Sequence, residues 1–312
     1  MHFVYTGQEH TNHTCLLIRS MFSHYCFLPI AVVMMSGVFA GCTALQAINA
    51  ITPSSTYNKA ADVAYGADPR QRLDVYLPLN SENPAPVVVF FYGGNWNSGE
   101  RKDYQFIGEA LASRGIVAVL ADYRLYPQVR YPGFLEDSAH AVAWTINEVQ
   151  HYGGDPRRVF VMGHSAGAYN AAMMALDPRW LAAQKLTPAA LRGWIGLAGP
   201  YDFLPIENKS TRPVFLYPDT PIESQPINHV SAGAPPALLI ASRKDELVDP
   251  VRNTGGLAVK LRAAGVAVTE VYFDKTSHQT LIGAISWPLR GLAPVLDTVE
   301  RFVKSDGTRN VQ

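Results

Sequence analysis

Cysteine is scarce and confined to one end of the chain. Cys15, Cys26 and Cys42 are the only three, so nothing after residue 42 can form an internal disulfide or a thiolate metal cluster. Excess charge is absent as well. Lys+Arg and Asp+Glu stand at 26 each, which leaves no electrostatic footing for nucleic acid or an anionic surface. The dinucleotide fingerprint G-x-G-x-x-G does not occur. Gly94 and Gly99 have the spacing of a phosphate loop, but Glu100-Arg101 stands where Lys-Ser/Thr is required, and a carboxylate there repels phosphate. No internal repeat and no Pro/Gly/Ser-rich linker divides the chain after residue 60. What remains is a neutral globular chain with a small-molecule site and no implied cofactor or metal. Apolar residues make up 48% and charged residues 17%, enough to bury a large core.

The cysteines belong to a leader. Phe27–Ala40, FLPIAVVMMSGVFA, is an apolar run of 14, too short for an ordinary spanning helix. Arg19 and His24 precede it and Ala40-Gly41 close it, the layout of a secretory signal over residues 1–41. A start at Met21 would give a leader of more usual length. FAGC, Phe39 to Cys42, resembles a bacterial lipobox, whose cysteine becomes the lipidated first residue of the mature chain. The expectation is an exported protein, lipid-anchored at Cys42 in the cell envelope. Residues 42–60 are small and polar and read as a tether. A catalytic-size domain follows over 61–306, then a tail at 307–312.

Within that domain, elements alternate. ADVAYG and QRLDVYLP show period-two patterning and read as an antiparallel pair. PVVVFFY, IVAVLADY, RVFVMG, GWIGLAG, PALLIAS and AVTEVYF read as strands, the continuous apolar runs among them as strands buried on both faces. Helices are expected at Tyr104–Arg114, Gly133–Gly153, Ala166–Leu176, Gly255–Gly265 and Val295–Ser305. This is an α/β domain with a mostly parallel sheet and helices on both faces. Residues 204–234, with five prolines, fit neither element and are expected to carry a lid or substrate-binding insertion.

The strongest chemical signal is Gly163-His164-Ser165-Ala166-Gly167, a G-x-S-x-G between an apolar strand and an Ala-rich helix. A strand-to-helix turn this tight forces the serine into a strained conformation, and side chains two residues either side would strike the neighbouring backbone. A serine hydroxyl needs a base, and the base an orienting acid. Five histidines follow the leader. His140 and His151 lie in or at the end of a helix ahead of the serine, His164 is the elbow's own variable position, and His229 lies in the irregular segment. His278 follows the last strand, where the chain order Ser…Asp/Glu…His requires the base. For the acid, Asp245 is first past the edge of PALLIAS, with Glu246 and Asp249 as alternatives; Asp274 reads as structural. The glycine pair of VVVFFYGGNWNSG then fits an oxyanion hole, with backbone N–H donors from Gly94, Asn95 and Ala166. Trp96 is expected to pack under this loop.

With these residues placed, the chain resembles α/β-hydrolase esterases of the hormone-sensitive-lipase and kynurenine-formamidase type. YGGNW is similar to their HGGxW loop, ADYRLYP to their (D/N)YRL(A)P segment, and YGGDPRRVFVMGHSAGA to their GGDPxR…GxSAG block. GPYDF and RKDELV match too, and the likeness covers about residues 62–303. The resemblance implies an eight-stranded α/β-hydrolase fold with a small cap insertion, a Ser165–His278–Asp245 triad, and a hole at Gly94, Asn95 and Ala166. Tyr92 stands where the family usually has a loop-bracing His. The function implied is a serine carboxylesterase acting on small acyl esters. An arylformamidase-like amide hydrolase would use the same triad. A non-catalytic binding protein on the same fold would show a broken one.

Overall fold

The computed structural model describes residues 44–81 and 84–307. The expected signal, the lipidation candidate Cys42 and residues 308–312 lie outside them. In chain order the elements are α1 (Ala44–Ala50), β1 (Tyr57–Ala64), β2 (Arg72–Pro78), β3 (Ala85–Phe91), α2 (Gln105–Ala112), β4 (Val117–Ala121), α3 (Gly133–Glu148) and β5 (Gly154–His164). They continue as α4 (Ala166–Leu176), α5 (Pro178–Ala182), β6 (Gly193–Leu197), β7 (Ala237–Ser242), α6 (Gly256–Ala263), β8 (Val268–Phe273), α7 (His278–Gly283) and α8 (Val295–Lys304).

The eight strands form one sheet in the order β1-β2-β4-β3-β5-β6-β7-β8. β1 pairs with β2, and β2 with β4, in antiparallel fashion; every other pairing is parallel. This is the α/β-hydrolase arrangement. Every residue of β3, β4, β6 and β7 is buried, which is why those segments are continuous apolar runs rather than alternating ones. β8, at the sheet's far side, is only half-buried throughout. Because β3 and β5 to β8 run parallel, their carboxyl ends share one edge, and the loops after them converge there.

The segment expected to be a tether is not free chain. Residues 44–50 form α1, and Asn49 ties it down: its Nδ2 donates to the Lys102 carbonyl at 2.9 Å and its Oδ1 accepts from the Phe106 amide at 3.2 Å. β1 then begins at Tyr57, inside the expected tether. Small polar residues hid a helix whose anchors lie more than fifty positions away.

The proline-bearing stretch 204–234 is irregular apart from short 3-10 turns at Ile222–Ser224 and Pro226–His229. It is packed all the same. Val214 and Phe215 are fully buried, the Tyr131 amide donates to the Val214 carbonyl at 2.9 Å, and the Tyr169 hydroxyl to the Ser224 carbonyl at 2.7 Å. Among the described residues, no helix is long and apolar enough to cross a membrane.

Candidate active site

The elbow is set by two glycines. A Cβ at Gly163 would stand 2.1 Å from the Gly167 carbonyl oxygen, and one at Gly167 would stand 1.9 Å from the Phe91 carbonyl oxygen. Only hydrogen fits at either place, so β5 can turn directly into α4 beside β3. Ser165 sits at the turn with φ 54° and ψ −122°, a conformation that costs an L-residue about 1–3 kcal/mol. Its amide donates to the Leu197 carbonyl at 2.9 Å, and its own carbonyl accepts from the amides of Ala168 and Tyr169. Ser165, partly exposed, is thereby held at the N-terminus of an 11-residue helix, where the first amides point outward and favour negative charge.

His278 and Asp245 meet across two loops. His278 opens α7, capped by Ser277, whose Oγ accepts from the Thr280 amide. His278 Nδ1 lies 2.8 Å from Asp245 Oδ2. A carboxylate only accepts, so Nδ1 carries the proton and Nε2 is left with a free lone pair. Both side chains are buried. Asp245 Oδ1 accepts from the amides of Leu247 and Val248 at 3.0 and 2.9 Å. Burial pushes the Asp245 carboxyl up, but the His278 contact and these amides outweigh it and hold the group below its ordinary value. The rival acids go elsewhere. Glu246 is exposed, Asp249 accepts from the amides of Val251 and Arg252, and the exposed Asp274 pairs with Arg243.

The glycine loop closes the site. A Cβ at Gly93 would lie 3.1 Å from Ser165 Cβ, so this backbone passes directly over the serine. Gly94, Asn95 and Trp96 follow with φ of 127°, 51° and 57°, three successive left-handed residues. The turn is tied by the amides of Asn97 and Ser98, which donate to the Gly94 carbonyl at 3.0 and 3.1 Å. Gly94 and Asn95 are at the surface end of the loop, and none of the loop's internal hydrogen bonds among the described residues uses their amides. Trp96 is only 2% exposed, its Nε1 donating to Asn170 Oδ1 at 2.9 Å and its ring packed among Phe134, Tyr169, Phe203 and Phe215.

Tyr92 braces this loop from behind. Its ring stacks on Tyr123 at 4.7 Å, its carbonyl accepts from the Tyr123 hydroxyl, and its hydroxyl accepts from Arg70 Nη2 at 2.7 Å. The same Arg70 donates to the carbonyls of Gly99 (2.9 Å) and Tyr123 (3.0 Å), so one guanidinium spans both ends of the turn. Burial pushes the Tyr92 hydroxyl well above its ordinary pKa, so it stays protonated. Arg70, His164 and Asn170 escape sequence reading. Their partners are 22 to 114 positions away, and only the tyrosine at a position usually held by histidine hints that a new brace must exist.

The structure thus brings Ser165, Gly94, Asn95 and Ala166 to one sheet edge, and pairs His278 with Asp245 beside them. His164, next to Ser165, touches His278: its Nε2 is 3.0 Å from the His278 carbonyl oxygen.

Comparison with known proteins agrees with this architecture. The family model BD-FAE matches residues 73–261. The isoprenylcysteine alpha-carbonyl methylesterase ICME of Arabidopsis thaliana is 29% identical over 250 residues, covering 73% of this chain and 58% of that protein. Esterase LipC of Mycobacterium tuberculosis is 32% identical over 224 residues, covering 64% and 54%. The chain spans about half the length of the curated relatives it matches. Among solved structures, a truncated carbohydrate esterase from gut microbiota superposes with TM-score 0.70 at 18% identity, over 83% of this chain and 99% of that one. Esterase B from Lactobacillus rhamnosis gives TM-score 0.71 at 18% identity, over 90% and 94%. At that identity the structural likeness speaks to the fold alone.

Proposed function

The chain belongs to the BD-FAE family, and from that membership and the geometry above we propose that it is a serine carboxylesterase hydrolysing small acyl esters. The observation that carries the reading is the Ser165 elbow at the N-terminus of α4, closed by His164 onto a buried His278–Asp245 pair. Ser165 Oγ attacks the ester carbonyl carbon while His278 Nε2 takes its proton. The carbonyl oxygen becomes an oxyanion within reach of the amides of Gly94, Asn95 and Ala166, each such donor contributing about 3 kcal/mol. Asp245 keeps His278 in the tautomer with Nε2 free and stabilises the imidazolium that forms. Collapse of the adduct breaks the ester C–O bond, and His278 returns the proton to the departing alcohol. Water, deprotonated by His278, then attacks the acyl-Ser165 carbon, and the acid leaves as Ser165 regains its proton.

The relatives named above are called a methylesterase and an esterase, which supports ester over formyl-amide chemistry. Ser165→Ala is expected to abolish p-nitrophenyl acetate hydrolysis; full activity in the folded variant overturns the assignment. Anchoring at Cys42 in the cell envelope is supported by the FAGC sequence. Palmitate labelling that disappears in Cys42→Ser tests it, and an unlabelled wild-type protein overturns it.

A further inference from the structure

No step above uses His164. It is only 6% exposed, and its ring centre stands 4.8 Å from that of His278. Its Nε2 is 3.0 Å from the His278 carbonyl oxygen. A carbonyl only accepts, so Nε2 bears the proton and Nδ1 is left as a bare lone pair. Nδ1 is buried with no hydrogen-bond partner among the described residues, and it faces the backbone at Gly93, where a Cβ would lie 3.2 Å away. An unsatisfied buried acceptor is a cost that an apolar side chain of similar size would avoid. Packing alone therefore does not call for an imidazole here, whereas the donor at Nε2 does.

That donor reaches the residue on which the proposed reaction turns. The His278 side chain is fixed at Nδ1 by Asp245. Its backbone, at the first residue of a six-residue helix, is gripped by His164. The grip comes from the residue bonded directly to Ser165, so displacement of the base relative to the nucleophile is limited by one rigid ring. We propose that His164 is a positioning residue, which sets the place of His278 against Ser165 by holding the His278 main-chain carbonyl. This rests on the esterase reading. Burial, with the neighbouring His278 second, pushes His164 down to about 3, so the ring stays neutral and does not repel the imidazolium that forms on His278.

The test varies the position of the donor. In Gln the terminal amide reaches where Nε2 lies; in Asn it stops near Nδ1; Leu has no donor. With p-nitrophenyl acetate and the full chain, His164→Leu and His164→Asn are expected to lower kcat about 10- to 100-fold with KM changed less than about threefold, since a displacement near 1 Å costs of this order. His164→Gln is expected to recover most of that loss. Equal kcat in the Gln and Asn variants, or a loss carried by KM, overturns the proposal. Ser165→Ala run alongside separates the two claims. If it is dead while Gln and Asn behave alike, the positioning role alone fails; if it is active, the esterase reading fails.

Discussion

Replacing Gly94 by alanine separates the shape of the glycine loop from its composition. The added Cβ would stand 2.3 Å from the Ser98 carbonyl oxygen, a backbone atom held in the same turn by the Ser98 amide on the Gly94 carbonyl. Ordinary contact begins at 3.4 Å, so the turn must open by about 1 Å, and φ of 127° adds strain for any L-residue. A shift of that size moves the Gly94 amide off the oxyanion. Loss of one such donor costs about 100- to 1,000-fold in kcat. The expected result for Gly94→Ala is therefore a kcat lower by about that factor, with KM within a few-fold, in steady-state hydrolysis of p-nitrophenyl acetate. Gly265→Ala is the control. Its φ is 78°, but nothing lies within 4 Å of the added Cβ. It carries backbone strain alone, about 1–2 kcal/mol, or a melting temperature lower by about 2–8 °C in a chain of this size, with kcat unchanged. A folded Gly94→Ala enzyme with kcat within threefold of wild type would refute the oxyanion role of this loop.

Two further outcomes follow from buried groups. His164 is held far below its ordinary value, to about 3, so the unfolded chain binds a proton there that the folded chain refuses. Its contribution to stability is intact above the unfolded value near 6.5 and is lost as pH falls below it, by at most about 1.4 kcal/mol per pH unit. Urea unfolding between pH 6.5 and 4.5 is expected to show a shallower slope in His164→Gln than in wild type; parallel slopes would contradict it. Tyr92→Phe removes the acceptor of one Arg70 hydrogen bond and leaves the Gly99 contact in place. A stability loss of about 1–2 kcal/mol is expected by denaturant titration, with kcat reduced less than tenfold. A larger kcat loss than this would mean that the Tyr92–Arg70 contact, and not the Gly99 contact alone, holds the loop's oxyanion donors in place.

The fold was legible wherever burial acts through local pattern. Val87–Phe91, Val117–Ala121 and Ala237–Ser242 are apolar runs because helices cover both faces, and α4 runs over Ala166–Leu176 as the elbow requires. Short capped helices were harder. Asp177-Pro178 carries a cap and a first-turn proline for α5, and Ser277 with Thr280 forms the box that starts α7, yet both helices are too short to show a period. What local reading cannot reach is partnership over distance. Asn49 with Lys102, Arg70 with Tyr92 and His164 with His278 are each joined only by the folded sheet edge. The elbow and its chain order were visible because strain and topology fix their spacing. The braces behind them are not fixed by spacing: Tyr92 departs from the usual histidine, and its partner Arg70 lies 22 positions away.

The central claim is that Ser165 carries the acyl group, and direct capture of that intermediate tests it most sharply. Brief reaction with p-nitrophenyl acetate, an acid quench and mass analysis of the proteolytic peptides is expected to find one acetyl group, on Ser165, matched by a one-equivalent burst of p-nitrophenol. Acetyl on another residue, or turnover with no burst and no acetyl at Ser165 under conditions that trap acyl-enzymes, would contradict the account.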